Sequence, residues 1–221
     1  MPIDSDKITR SVNEAYHSSI AEPLEGAPAN YIPALASVSP HLCGLAFVSL
    51  EGKIWKAGDS GIRFSIQSIS KIFGLSMAMQ RVGDQLWKRV GMEPSGQPFN
   101  SIVQLEWEKG IPRNPFINAG SLVIADILTT HFASSTQALS TFVQKLSPDK
   151  SCHINLEVRD SELQHGNRNA ALAYLMKSFS NIESSVDEVL WHYFSQCALE
   201  MSCTELAYSL MFLANRGTNS K

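Results

Sequence analysis

The apolar pattern of this chain changes near residue 66, from one helical stretch and two strand-like runs to a helical period. A helix is predicted over residues 4–20, with Asp4 or Ser5 as its N-cap. Two short apolar runs, 42–50 and 53–57, are separated by an acidic residue and a glycine, which is typical of a hairpin turn. A hairpin is not a stable sheet by itself, so we expect further strands or a helix to complete it.

After residue 66 the apolar period is helical and strand signals are nearly absent. Helices are predicted over 68–83, from Asn118 onward, and over 136–146, 168–179, 185–198 and 202–215. Residues 94–100 are rich in Gly and Pro and predict a loop. The chain is therefore expected to form one domain over 1–221, with a helix and hairpin in 1–62 and a mainly helical lobe in 63–221.

Composition and charge narrow the classes of function. The 221 residues are 44% hydrophobic and 18% charged, which is typical of a globular domain and excludes a disordered or low-complexity chain. The net charge is −3, and no basic cluster is visible, so no surface for nucleic acid or anionic lipid is expected. The predicted partner is a small molecule or another protein.

The location predicted from the sequence is the cytoplasm. The N-terminal residues are polar and lack the apolar core of a signal peptide, and no apolar run reaches the ~18 residues of a membrane span. Four irregularly spaced cysteines, Cys43, Cys152, Cys197 and Cys203, form no C-x-x-C pair and predict no disulfide framework.

The clearest candidate for chemistry is Ser68-Ile69-Ser70-Lys71, an S-x-x-K sequence at the start of a predicted helix. Spacing of three residues places both side chains on one face, where a neutral lysine amine could take the serine proton. The alternative is an N-cap serine beside a solvated lysine. A second copy, residues 147–150, contains Pro and Asp and predicts a polar turn.

Further polar residues leave two interpretations open. Asn118 precedes an apolar helix, where it is either an N-cap or part of a site. Glu162 and Asn169 flank the start of the helix predicted over 168–179, and Glu162 is either a partner of the helix dipole or a ligand for an ammonium group. The histidines show no metal-binding spacing.

Several long strings of residues resemble the serine-dependent glutaminases of bacterial and mitochondrial type. The similarity runs in register from about residue 10 to residue 215. It is carried by Tyr31-Ile32-Pro33-Ala34-Leu35-Ala36, Phe64-Ser65-Ile66-Gln67-Ser68-Ile69-Ser70-Lys71, Glu93-Pro94-Ser95-Gly96, Asn114-Pro115-Phe116-Ile117-Asn118-Ala119-Gly120, Ser161-Glu162 with Arg168-Asn169, and Tyr193 with Gln196-Cys197. The resemblance implies an α+β fold like that of β-lactamases and DD-peptidases (penicillin-binding proteins), with a sheet beside a helical lobe.

The resemblance also implies an activity, hydrolysis of L-glutamine to L-glutamate and ammonia without metal or organic cofactor. By residue, it implies Ser68 as nucleophile, Lys71 as general base, and the Ser68 backbone N–H as one donor of the oxyanion hole. Four further residues would hold the substrate: Asn118, Glu162, Asn169 and Tyr193. A homo-oligomer, dimer or tetramer, is also expected.

One departure from the family pattern is that family chains continue well beyond residue 215, through later strands and a second oxyanion donor. We therefore expect the chain to be incomplete at its C-terminus and residues 1–221 alone to have at most trace activity. The alternative is a non-catalytic truncated paralogue that acts through protein contacts. Penicillin binding or β-lactamase activity is disfavoured, because the S-D-N and K-T-G sequences of those enzymes are not matched.

Overall fold

The structure, a computed structural model, describes residues 4–21 and 26–219. Helices dominate, and two small sheets accompany them, so the predicted α+β class is confirmed. The helices are α1 Ser5–Ala21, α2 Pro33–Ala36, α3 Lys71–Val82, α4 Val103–Trp107, α5 Asn118–His131, α6 Ser135–Leu146, α7 Leu156–His165, α8 Asn167–Ser178, α9 Val186–Cys197, α10 Cys203–Ser209 and α11 Met211–Ala214. The strands are β1 Gly44–Val48, β2 Ile54–Gly58, β3 Arg63–Ser65, β4 His153–Ile154 and β5 Leu199–Ser202. Two 3₁₀ turns cover Gln67–Ser70 and Gly83–Lys88.

Two compact units make up the described chain, and the first is built on the hairpin. It contains the described residues of 1–64, 143–153 and 200–221. β1 and β2 pair antiparallel, with Phe47 opposite Trp55. Trp55 is buried, and its Nε1 donates to Ser5 Oγ of α1 at 3.3 Å. α1 and α10 pack against the hairpin and give it the cover that two strands need.

The second unit, residues 65–142 and 154–199, is organised around α5. Every residue of α5 from Asn118 to Leu128 is buried, which is typical of a helix at the centre of a core rather than at its surface. α3, α8 and α9 pack against it. The second sheet has the order β3-β5-β4.

A buried carboxylate ties the far part of α5 to the rest of the second unit. Asp126 is fully buried and accepts from Arg89 Nη2 at 2.5 Å and from the backbone N–H groups of Glu183 and Ser184 at 3.1 and 2.8 Å. Asn181 accepts from Arg89 Nε at 3.3 Å and donates to the Gly110 carbonyl at 2.7 Å. All of these groups are satisfied by one another, which is what a buried charge requires.

Most predicted helices and the hairpin are confirmed, and Asp4 caps α1 by accepting from the Lys7 N–H at 3.0 Å. Among the described residues after 66, the strands are the two-residue β4 and the four-residue β5, which agrees with the prediction that strands are nearly absent there. Helix α7 was missed, since its residues are polar on most sides. The helix predicted over 202–215 is divided into α10 and α11. The predicted division into 1–62 and 63–221 stays a prediction.

Within the described residues, every helix is too short or too polar to cross a membrane.

The Arg89–Asp126 pair should contribute strongly to stability. Asp126→Asn removes the charge that Arg89 faces in a buried site, and we expect the free energy of unfolding to fall by about 3 kcal/mol. Urea denaturation measures this fall. The matched control is Asp160→Asn, which breaks an ion pair with Arg159 whose carboxylate side chain is 53% exposed and should cost less than about 1 kcal/mol. Equal losses in the two variants would contradict the assigned role of Asp126.

Candidate active site

Lys71 is the first residue of α3, and its side chain is buried, 4% exposed. The alternative of a solvated lysine is therefore wrong. Its Nζ donates to the Phe116 carbonyl oxygen at 2.9 Å and to Asn118 Oδ1 at 2.8 Å. Burial lowers the pKa of Lys71 to about 8, because the charged form has lost water and gained only neutral acceptors at these two atoms. With this pKa, about one-tenth of the Lys71 amine is neutral at pH 7.

The acceptors of Lys71 are held by a local turn, residues 114–117. Asn114 Oδ1 accepts from the backbone N–H groups of Phe116 and Ile117 at 3.0 and 3.1 Å. This is the local side-chain bond that Asn makes readily at a turn. It fixes the peptide whose carbonyl faces Lys71. Sequence analysis missed the Phe116 carbonyl, because a backbone acceptor leaves no mark in residue type.

Asn118 lies at the start of α5 and links Lys71 to α8. Its Oδ1 accepts from Lys71, and its Nδ2 donates to Asn169 Oδ1 at 3.0 Å. The alternative of Asn118 as N-cap is wrong, since the N-cap is Ile117, with extended backbone, and Asn118 is the first helical residue. The two amides are thus connected to the lysine by direct hydrogen bonds.

Ser68 lies in the 3₁₀ turn before α3, with an exposed side chain. In a 3₁₀ turn, side chains three residues apart are eclipsed, so Ser68 and Lys71 leave the turn on one side. The hydrogen bonds of the described residues include none between Ser68 Oγ and Lys71 Nζ, and none that takes the Ser68 backbone N–H. Neither group of Ser68 is therefore engaged in those bonds within the part of the chain that the structure describes.

Glu162 and Tyr193 are buried, 4% and 2% exposed. Glu162 lies within α7 and Asn169 in the first turn of α8, so the two residues flank the start of α8 as predicted. Tyr193 lies on α9, one turn before Cys197, and its side chain hydrogen-bonds to the Cys197 thiol.

The Cys197 thiol connects the charged residues of the site electrostatically. Burial and, to a smaller extent, the charge of Glu162 raise the pKa of Cys197 to about 12, and the charge of Lys71 opposes this rise. Cys197 is therefore a neutral thiol within electrostatic reach of both Lys71 and Glu162. Sequence analysis identified Cys197 only through the Gln196-Cys197 string, and nothing in residue type alone marks it.

The site residues therefore meet in one unit. Lys71, Asn118 and Asn169 are joined by hydrogen bonds, Glu162 and Tyr193 approach them through Cys197, and Ser68 is adjacent to Lys71 along the turn. Such a site offers a hydroxyl, an amine with a lowered pKa, a carboxylate and two amides. Among the described residues, no cluster of three or more His, Cys, Asp or Glu side chains could hold a metal ion.

Comparison with known proteins shows which proteins this chain is similar to. The sequence model of the glutaminase family, described as "Glutaminase", matches residues 26–221. A glutaminase of Marinomonas sp. strain MWYL1 is 50% identical over 192 residues, which are 87% of this chain and 63% of that protein. A glutaminase of Rhizobium leguminosarum bv. trifolii is 49% identical over 213 residues, 95% of this chain and 69% of that protein. The chain thus spans less than two thirds of the length of the Marinomonas relative.

A solved structure described as the probable glutaminase ybaS has the same fold. It is 32% identical in sequence, with a TM-score of 0.91, and the alignment covers 98% of this chain and 70% of that chain. The predicted fold class is confirmed by this likeness. The family match over residues 26–221, together with relatives at about half identity, establishes that this chain belongs to the glutaminase family.

Proposed function

We propose that this chain supplies the nucleophile and the base for hydrolysis of L-glutamine to L-glutamate and ammonia, through a γ-glutamyl ester on Ser68. The observation that carries the proposal is the buried Lys71 amine, three residues after an exposed serine, in a member of the glutaminase family. A pKa of about 8 leaves a fraction of Lys71 neutral near neutral pH. A neutral lysine amine has two N–H groups and one lone pair.

Those atoms of Lys71 have defined roles in the proposed mechanism. The Phe116 carbonyl and Asn118 Oδ1 accept its two N–H groups and leave its lone pair to take a proton. The Ser68 hydroxyl gives its proton to that lone pair as Ser68 Oγ bonds to the γ-carboxamide carbon of glutamine. The oxygen of the tetrahedral intermediate accepts a hydrogen bond from the Ser68 backbone N–H. This N–H has no acceptor among the described residues.

Breakdown of the intermediate completes the balance of atoms. The C–N bond breaks, Lys71 returns the proton to the leaving nitrogen, and ammonia departs. Water then attacks the γ-glutamyl ester and gives a proton to Lys71. The ester C–O bond breaks, Lys71 returns that proton to Ser68 Oγ, and glutamate and free Ser68 are released. The net reaction consumes one water for each glutamine.

Substrate recognition is proposed for four buried or half-buried side chains. The Glu162 carboxylate pairs with the α-ammonium of glutamine in a dry site, where such a pair is strong. Asn118, Asn169 and Tyr193 hydrogen-bond the carboxylate and amide groups. The link from Asn118 to Lys71 couples binding to the base.

We also propose a cytoplasmic homo-oligomer, a dimer or tetramer. The four free cysteines support a reducing compartment. Large exposed apolar side chains such as Trp107 and Met92, 84% and 70% exposed, support burial against another copy.

Ser68→Ala should abolish glutamine hydrolysis, because it removes the atom that forms the ester. Ammonia release from glutamine measures this loss, and a coloured β-lactam assayed in parallel tests the alternative activity. The matched control is Ser147→Ala in the second S-x-x-K copy, 147–150, where the lysine is exposed, and turnover should be unchanged. Retained hydrolysis in Ser68→Ala would end the assignment of the nucleophile.

Binding separates the role of Glu162 from that of Ser68. Calorimetry should find that Ser68→Ala still binds glutamine, whereas Glu162→Gln binds it at least about tenfold more weakly, since it loses a charge-assisted pair. If Glu162→Gln instead unfolds at a clearly lower temperature than the wild type and its weaker binding follows from that loss of stability, the carboxylate has a purely structural role.

The pH dependence of kcat/KM should report Lys71. Below its pKa of about 8, Lys71 is protonated and cannot accept the serine proton, so kcat/KM should rise roughly tenfold per pH unit and level off above pH 8. Lys71→Arg should be inactive throughout, because a guanidinium does not deprotonate in this range. Lys150→Arg, at the exposed lysine of the second copy, is the control and should keep the wild-type profile. A profile that is flat between pH 6 and 9 would identify a different base.

A further inference from the structure

Ser70 lies between the proposed nucleophile and base, and the mechanism does not use it. Its side chain is fully buried, and its Oγ donates to the Gln67 carbonyl oxygen at 2.6 Å. Ser76, farther along α3, makes the same kind of bond to the Ile72 carbonyl at 2.8 Å. The two bonds differ in their acceptors, because the Gln67 carbonyl is directly followed by Ser68 and the Ile72 carbonyl is not.

The Gln67 carbonyl belongs to the peptide unit that carries the Ser68 N–H. A peptide unit is planar and trans, so its C=O and N–H point in opposite directions and turn together. A bond that fixes the Gln67 oxygen therefore also fixes the direction of the Ser68 N–H. That N–H has no acceptor among the described residues, which leaves it available for an oxyanion.

Gln67 needs such a restraint because its backbone is unusual. Its φ is +46°, in the left-handed region that non-glycine residues adopt at a cost. The Gln67 side chain also donates to Ser65 Oγ at 3.2 Å, and the Ser70 bond is the restraint that acts on the Gln67 carbonyl. Its loss lets Gln67 relax toward a more favourable φ and ψ. The following peptide, with the Ser68 N–H, then turns away.

We propose that Ser70 is a positioning residue, whose bond to the Gln67 carbonyl directs the Ser68 N–H toward the oxyanion formed when Ser68 is acylated. The inference rests on the proposed function, since it assigns an orientation to that mechanism's donor. Removal of an oxyanion donor lowers kcat by about 10²–10³-fold. A donor that is still present but points away from the oxyanion should lower kcat by no more than this.

Steady-state kinetics on glutamine give the first test. Ser70→Ala should lower kcat about 10- to 100-fold and leave KM within about threefold, because the proposed substrate-binding side chains are untouched. Ser76→Ala removes the equivalent bond elsewhere on α3 and should change neither constant by more than about twofold. Thermal unfolding of both variants shows whether each is folded at the assay temperature.

A second substitution distinguishes positioning from packing. Glycine adopts a positive φ about as readily as a negative one, so Gln67→Gly removes the energetic cost of the left-handed backbone at residue 67. Added to Ser70→Ala, Gln67→Gly should restore kcat at least threefold. A Ser70 that only fills space would show no such rescue, because a change at Gln67 does not refill the cavity at Ser70.

A reaction that needs no glutamine separates this inference from the proposed function. With an alkyl fluorophosphonate, the Ser68 Oγ–P bond forms, fluoride leaves and the hydroxyl proton passes to Lys71, and intact mass measures the rate. The phosphoryl oxygen uses the same donor, so Ser70→Ala should be labelled at least about tenfold more slowly than the wild type or Ser76→Ala. Equal labelling rates in folded Ser70→Ala and wild type would overturn the inference, as would a wild type that is not labelled at Ser68. Hydrolysis of glutamine that survives in Ser68→Ala would overturn the proposed function instead.

Discussion

Burial of one amine, that of Lys71, is the constraint on which the site depends. A lysine ammonium is strongly hydrated, and moving it out of water disfavours its charged form. Among the described residues, its hydrogen-bond acceptors are two neutral groups, the Phe116 carbonyl and Asn118 Oδ1. These two hydrogen bonds hold the Lys71 amine in place. Burial at the same time raises the fraction of Lys71 that is neutral, and only the neutral amine can act as a base.

The neighbouring architecture follows from the need to bring those acceptors to α3. The 114–117 turn must lie against the start of α5, and Gly120 makes this possible, since a Cβ there would collide with the Asn114 carbonyl. α5 must also sit deep in the unit, because α3, α8 and α9 all pack on it. Its buried Asp126, bonded to Arg89 and the 183–184 backbone, fixes the other part of the same helix. The precision of the site is thus supported by packing some distance from it.

Sequence reasoning predicted the parts of this arrangement that are local and periodic. Helices α1, α6 and α9 have clear apolar spacing or caps, and the hairpin has a clear turn. α7 has no such periodicity, and β4 is two residues long, too short to show a period. The resemblance to glutaminases selected the candidate site residues, but it did not predict which of them touch.

The burial of Lys71 lay beyond sequence reasoning, because it is caused by residues more than forty positions away. S-x-x-K at a helix start fits a solvated lysine equally well, as the exposed Lys150 of the second copy illustrates. Asn118 was ambiguous for the same reason: a helix start favours Asn as N-cap, and only the position of Lys71 shows that its oxygen is otherwise engaged. Long-range contacts decided both questions.

The central claim is that burial makes Lys71 a partly neutral amine near neutral pH, and an NMR titration tests it most directly. With ¹³C- and ¹⁵N-labelled lysine, the resonance absent from Lys71→Met identifies Lys71, and its Cε shift is followed from pH 6 to 11. The account predicts a titration near pH 8 for Lys71, while the exposed lysines titrate near their usual ~10.4. A Lys71 that titrates together with the exposed lysines would contradict the account.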